Sequence, residues 1–122
     1  MPAAQRRILV VDDYADIRTL VTEVLEAEGH QVIQAADGPE AVRQERDHQP
    51  DLVVLDLTMP VMDGWETAAQ IRERSRVAVL FLTARVDDFE RRRARRVGGA
   101  GFMLKPFGRN ELVETVTALL DP

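Results

Sequence analysis

Five polar residues stand where apolar runs of this sequence stop. Ile8-Leu9-Val10-Val11 runs into Asp12-Asp13, and Leu52-Val53-Val54-Leu55 runs into Asp56. Val77 to Leu82 runs into Thr83, and Phe102-Met103-Leu104 runs into Lys105. Carboxylates brought to one place repel each other, and either a proton or a cation must relieve the repulsion. Oxygen donors with no histidine or cysteine among them favour a hard ion, Mg²⁺ or Mn²⁺. Such an ion keeps several waters and binds a phosphoryl oxygen; Lys105 adds a second positive charge, and the Thr83 hydroxyl can donate to another oxygen. Phosphoryl transfer needs this positioning and charge neutralisation more than covalent assistance. An aspartate can itself be the nucleophile and form an acyl phosphate. Taken singly, each residue has a plainer use: Asp12 and Asp13 as helix-cap acids, Asp56 as a turn residue, Thr83 as a cap, Lys105 on the surface. Their joint occurrence at four strand ends points to one site.

The elements that must position them alternate regularly. The apolar runs are rich in β-branched residues and read as strands covered on both faces. Gln31 to Ala36 is a further short strand. Between the runs, Ile17, Leu20, Val21, Val24 and Leu25 form one helical stripe that Gly29 stops. Asp37-Gly38-Pro39 leads into a second helix, and Trp65, Ala68, Ala69 and Ile71 mark a third. A charged fourth helix runs from about Asp87 to Val97, and Leu112, Val113, Val116, Leu119 and Leu120 lie on one side of a fifth. Five βα units with short loops imply an α/β fold, a flavodoxin-like (βα)5 doubly wound five-stranded parallel sheet of order 2-1-3-4-5. At the switch point of that order the first and third strands are neighbours, and ligands bind at the carboxyl ends.

Composition narrows the function classes. The 122 residues are expected to form one domain, 1–122, with its core at about 5–120. A net charge of −5 argues against direct nucleic-acid binding. The absence of cysteine excludes disulfides, thiolate catalysis and Cys-ligated zinc, and His30 and His48 stand alone. There is no signal-peptide pattern and no apolar run of membrane-span length, so a cytoplasmic protein without membrane contact is expected.

The sequence resembles the response-regulator receiver family, the CheY-like superfamily of two-component signalling, from about Gln5 to Leu120. Ile8 to Asp13 resembles its first strand and acidic pair, and Asp51 to Pro60 its phosphoacceptor strand, with Met62-Asp63-Gly64 as the following turn. Leu82-Thr83-Ala84 resembles the switch-threonine segment and Lys105-Pro106-Phe107 the lysine-proline signature. The resemblance implies that Asp56 accepts a phosphoryl group from a sensor histidine kinase or phosphotransfer protein. It implies Mg²⁺ held by Asp13, Asp56 and the Thr58 backbone carbonyl, with Asp12 acting through a metal-bound water. Lys105 would pair with Asp56 and then the phosphate; Thr83 would move to the phosphoryl group and Phe102 would swing inward behind it. The face formed by the fourth helix, fifth strand and fifth helix would then change its affinity for a downstream protein. The Lys105–Pro106 bond resembles one that is cis. Thr58 and Arg85 would tune dephosphorylation. The protein would be no general enzyme, catalysing only its own phosphorylation and dephosphorylation.

Two departures from the family pattern stand out. Arg91, Arg92, Arg93, Arg95 and Arg96 crowd the fourth helix, leaving Phe89, Ala94 and Val97 as its apolar contacts. A weakly docked helix is expected. Ala100 and Gly101 replace acids that many transcription-factor receivers use to dimerise, and Thr115 and Thr117 stand where an arginine would pair with them; a monomer or weak dimer is expected. The competing readings fit less well. A haloacid-dehalogenase-like small-molecule phosphatase wants an acid at position 58, and a flavin carrier wants a Ser/Thr/Gly-rich loop where Asp12 to Asp16 is acidic.

Overall fold

The computed structural model describes residues 5–84, 87–98 and 101–121. Among the described residues five strands and five helices alternate: β1 (Arg7–Val11), α1 (Ala15–Ala27), β2 (Gln31–Ala35), α2 (Gly38–His48), β3 (Leu52–Asp56), α3 (Gly64–Arg72), β4 (Ala78–Thr83), α4 (Asp88–Arg96), β5 (Gly101–Leu104) and α5 (Arg109–Leu120). Every strand pairing is parallel, and the order is β2-β1-β3-β4-β5. This is the flavodoxin-like doubly wound fold, with β1 beside β3 where the order reverses.

The period-two alternation of a strand divides the core in two. Leu9, Val11, Val53, Leu55, Val79 and Phe81 point to one face, where Ala41 of α2, Trp65, Ala68 and Ile71 of α3 and Ala94 of α4 cover them. Ile8, Val10, Leu52, Val54, Leu80 and Leu82 point to the other, beneath Val21, Val24 and Leu25 of α1 and Leu112, Val116 and Leu120 of α5. Strands buried on both faces explain why the sequence runs are continuously apolar. Local signals set the element ends. Asp37, Asp63 and Asp87 each accept a hydrogen bond from the backbone N–H three residues on, at 2.8, 2.9 and 2.8 Å, capping α2, α3 and α4. Gly29, after α1, takes φ +91°, a left-handed conformation that favours glycine.

Two apolar residues are not where helical spacing places them. Leu20 is 49% exposed. The buried arc of α1 turns instead toward Thr22, so Leu20 falls on the rim. Phe89 is 63% exposed: the inner stripe of α4 is Ala94, with Glu90 and Val97 half-buried on the same side, and Phe89 lies off it. No helix among the described residues is long and apolar enough to cross a membrane.

Candidate functional site

β1, β3, β4 and β5 all run in one direction, so their last residues meet at one edge of the sheet. Asp56 is the last residue of β3 and Thr83 the last of β4, both almost fully buried, and Asp12 immediately after β1 is fully buried. Carboxylate oxygens of Asp12, Asp13 and Asp56 all lie within 4.8 Å of one another. That spread compares with the ~4.2 Å that separates opposite ligands of one Mg²⁺. An oxygen-only donor set of this kind suits a hard divalent cation.

Lys105, just past β5, closes the pocket from the far side. Its Nζ lies 3.1 Å from Asp12 Oδ2 and 3.4 Å from Asp56 Oδ1. The lysine therefore bridges both buried acids, and its shorter contact is with Asp12. Its backbone N–H donates to the Thr83 carbonyl at 2.8 Å, which locks the start of the β5–α5 loop to the end of β4. The following Lys105–Pro106 bond is cis.

The charges are not balanced. Burial, followed by repulsion from Asp12, raises the Asp56 carboxyl to about 6, although Lys105 and a hydrogen bond from the Thr58 N–H (3.2 Å to Oδ1) pull the other way. Burial works to lower the Lys105 pKa, but its hydrogen bond to Asp12 and the charges of Asp12 and Asp56 outweigh it, and the net shift is upward. A second positive charge in the pocket would relieve the excess of acids.

The other expected site residues fall as follows. Thr58 is exposed beside Asp56. It shares a cleft of about 510 Å³ with Leu57, Met59, Asp63, Thr83 and Arg93. Phe102 is half-buried and packs its ring 5.6 Å from Phe81 and 6.1 Å from Trp65. Arg85 and Ala100 lie outside the described residues. A cleft of about 450 Å³ at the opposite end of the sheet, lined by Glu45, Arg46, Arg74 and Arg76, gathers no comparable set of groups.

Two supports escape motif reading. Arg18 donates from Nη1 to the Asp12 carbonyl at 2.7 Å and from Nε to Gln34 Oε1 at 3.1 Å, so α1 and β2 both hold the turn that carries the acids. Arg93 of α4 places its guanidinium carbon 4.9 Å from the Trp65 ring centroid, a cation–π contact across to α3. An arginine in the first turns after an acidic pair was the available signal for the first. Nothing in the spacing singles out Arg93 among five neighbouring arginines.

Comparisons with known proteins agree with this geometry. The family model described as the response regulator receiver domain matches residues 8–117. The alkaline phosphatase synthesis transcriptional regulatory protein PhoP of Bacillus subtilis is 39% identical over 116 residues, covering 94% of this chain and 48% of that protein. The transcriptional regulatory protein PdtaR of Mycobacterium tuberculosis is 36% identical over 115 residues, covering 93% of this chain and 56% of its own length. The chain thus spans about half the length of the curated relatives it matches. Among solved structures, the chemotaxis protein CheY4 of Vibrio cholerae superposes with a TM-score of 0.91 at 32% identity, covering 95% of this chain and 99% of the other. With the family model spanning most of its length, the chain belongs to the response regulator receiver domain family.

Proposed function

We propose that this receiver domain takes a phosphoryl group onto Asp56 from a phosphohistidine of a sensor kinase or phosphotransfer protein. The observation that carries the reading is the convergence of three carboxylates within 4.8 Å, with the Lys105 ammonium on two of them. An Asp56 carboxylate oxygen attacks phosphorus, the P–N bond breaks, and the imidazole leaves with the bonding electron pair and takes up a proton. Lys105, already at Asp56, moves its charge onto the phosphoryl oxygens as they arrive. The Thr83 side chain, at the end of the neighbouring strand, is placed to donate to one of them. Asp13 and Asp56, with the Thr58 carbonyl, would hold Mg²⁺ or Mn²⁺, and Asp12 would join through a bound water. Bound there, the ion supplies charge that neutralises the phosphoryl oxygens. The protein acts on itself and not on a stream of substrates.

The phosphoryl group adds charge of about −1.5 to −2 and three acceptor oxygens to a buried strand end. Phe102 lies beside Phe81, two residues before Thr83 on β4, so a shift of Thr83 is felt at β5 through packed rings. The α4–β5–α5 face is the surface on which a downstream protein would read the change.

Incubation with Mg²⁺ and acetyl phosphate followed by intact mass measurement tests this. A gain of one phosphoryl group, absent from Asp56→Asn and from protein kept with a chelator, is expected. Continuous turnover of assorted phosphate esters without a stable adduct would instead describe a hydrolase.

A further inference from the structure

Asp13 is the exposed member of the acid cluster, and its carboxylate makes no hydrogen bond or ion pair among the described residues. Nothing on its own side chain aims it at Asp56. Its direction is inherited from the backbone, and that backbone is held at Asp12. The Asp12 N–H donates to the Ala35 carbonyl at 3.3 Å, and its carboxylate accepts from the Tyr14 N–H at 2.9 Å and from Lys105 at 3.1 Å. The remaining group is the Asp12 carbonyl, which belongs to the peptide plane leading into Asp13. It accepts from Arg18 Nη1 at 2.7 Å, and Arg18 is steadied in turn by Gln34 of β2 through Nε at 3.1 Å. Rotation of that one peptide plane would swing the Asp13 Cβ away from Asp56.

We infer that Arg18 and Gln34 are positioning residues for the cation site: together they fix the Asp12–Asp13 peptide plane, and so the distance between the Asp13 and Asp56 carboxylates. The inference rests on the reading that these acids hold a divalent ion. A guanidinium suits the task because its planar fork reaches two acceptors at once in a fixed geometry. The hydrogen bonds of Arg18 go to the Asp12 carbonyl and to Gln34, and not to the carboxylates of the cluster. Its charge alone would act the other way, since a nearby cation repels a metal ion. Positioning and charge therefore predict opposite signs when Arg18 is removed.

The test is calorimetric titration of the full chain with Mg²⁺, alongside thermal unfolding without the metal. Three variants separate the effects. Gln34→Ala keeps the charge of Arg18 but frees its side chain; Arg18→Met removes both charge and tie; Arg18→Lys keeps the charge and one donor. The expected result is Mg²⁺ affinity weakened about tenfold in Gln34→Ala and more in Arg18→Met, with Arg18→Lys nearer wild type than Arg18→Met. Tighter binding by Arg18→Met with Gln34→Ala unchanged would leave Arg18 a mere charge and overturn the inference. So would unchanged affinities accompanied by lower unfolding temperatures, which would make the tie structural only. Wild-type protein that binds no Mg²⁺ would remove the underlying reading, and this inference with it. Should Arg18→Met not fold, Gln34→Ala alone decides.

Discussion

Asp56 is held in a state it does not favour. It is 3% exposed and faces Asp12 in a buried pocket, and its carboxyl is raised from 3.8 to about 6. The native form therefore holds the proton more tightly than the unfolded chain does. Well below pH 4 both are protonated and the penalty is absent. It grows between about pH 4 and 6, where the unfolded chain's carboxyl has ionised and the native one still holds its proton, and is complete above about pH 7, once the native carboxyl has ionised too. Asp56→Asn removes the charge and keeps the shape. Without divalent cations the variant should be more stable than wild type by about 1–3 kcal/mol at pH 8, with the gain fading to nothing near pH 4. Urea unfolding across that pH range measures it. A variant less stable than wild type at pH 8 would mean that Asp56 is stabilised by Lys105 more than it is penalised by burial. Added Mg²⁺ should narrow the difference by relieving wild type alone.

At the scale of elements, the site depends on how closely α3 approaches β3. A Cβ on Gly64, at the start of α3, would come 2.5 Å from the Asp56 carbonyl oxygen and 2.7 Å from the Leu57 Cα, both backbone atoms that cannot step aside cheaply. Gly64→Ala should cost about 2–3 kcal/mol and slow phosphorylation, because the obstruction moves the acceptor residue itself. Unfolding midpoints and adduct formation over time would check this; wild-type values for both would refute the close approach. The fourth helix is the opposite case. Ala94 is its one buried side chain among those described, whereas α1 buries Val21, Thr22, Val24 and Leu25. Amide exchange in α4 should run at least about tenfold faster than in α1, and equal protection would contradict weak docking. These contrasts also mark what the sequence made legible. Strand runs ending in Asp12, Asp56, Thr83 and Lys105 could be read because parallel strands covered on both faces leave an unbroken apolar signature and one polar end. Leu20 and Phe89 lie outside the buried faces because helical spacing defines a stripe but not the arc that neighbouring elements cover. Arg18 and Gln34 could not be paired, since their meeting depends on α1 lying over β1 and β2.

Over the whole molecule, charge is sharply divided. Residues 72–96 carry nine arginines and four acids, a net +5, and the remainder of the chain therefore carries −10 of the total −5. Among the described residues no arginine of α4 is in an ion pair. A symmetric dimer that set two α4 helices face to face would bring like charges together, so the phosphorylated protein should remain monomeric in sedimentation at low salt. Salt should strengthen, not weaken, any self-association across that face. The same division leaves the acidic pocket among the negative remainder, a field that favours the approach of a divalent cation. On the proposed reading, the chemistry turns on which of three clustered aspartates would receive the phosphoryl group. Borohydride reduction converts an aspartyl phosphate to homoserine, so reducing the phosphorylated protein and mass-mapping its peptides reads the answer directly. Homoserine at position 56 alone is predicted; homoserine at 12 or 13, or none in protein that has gained phosphoryl mass, would contradict it.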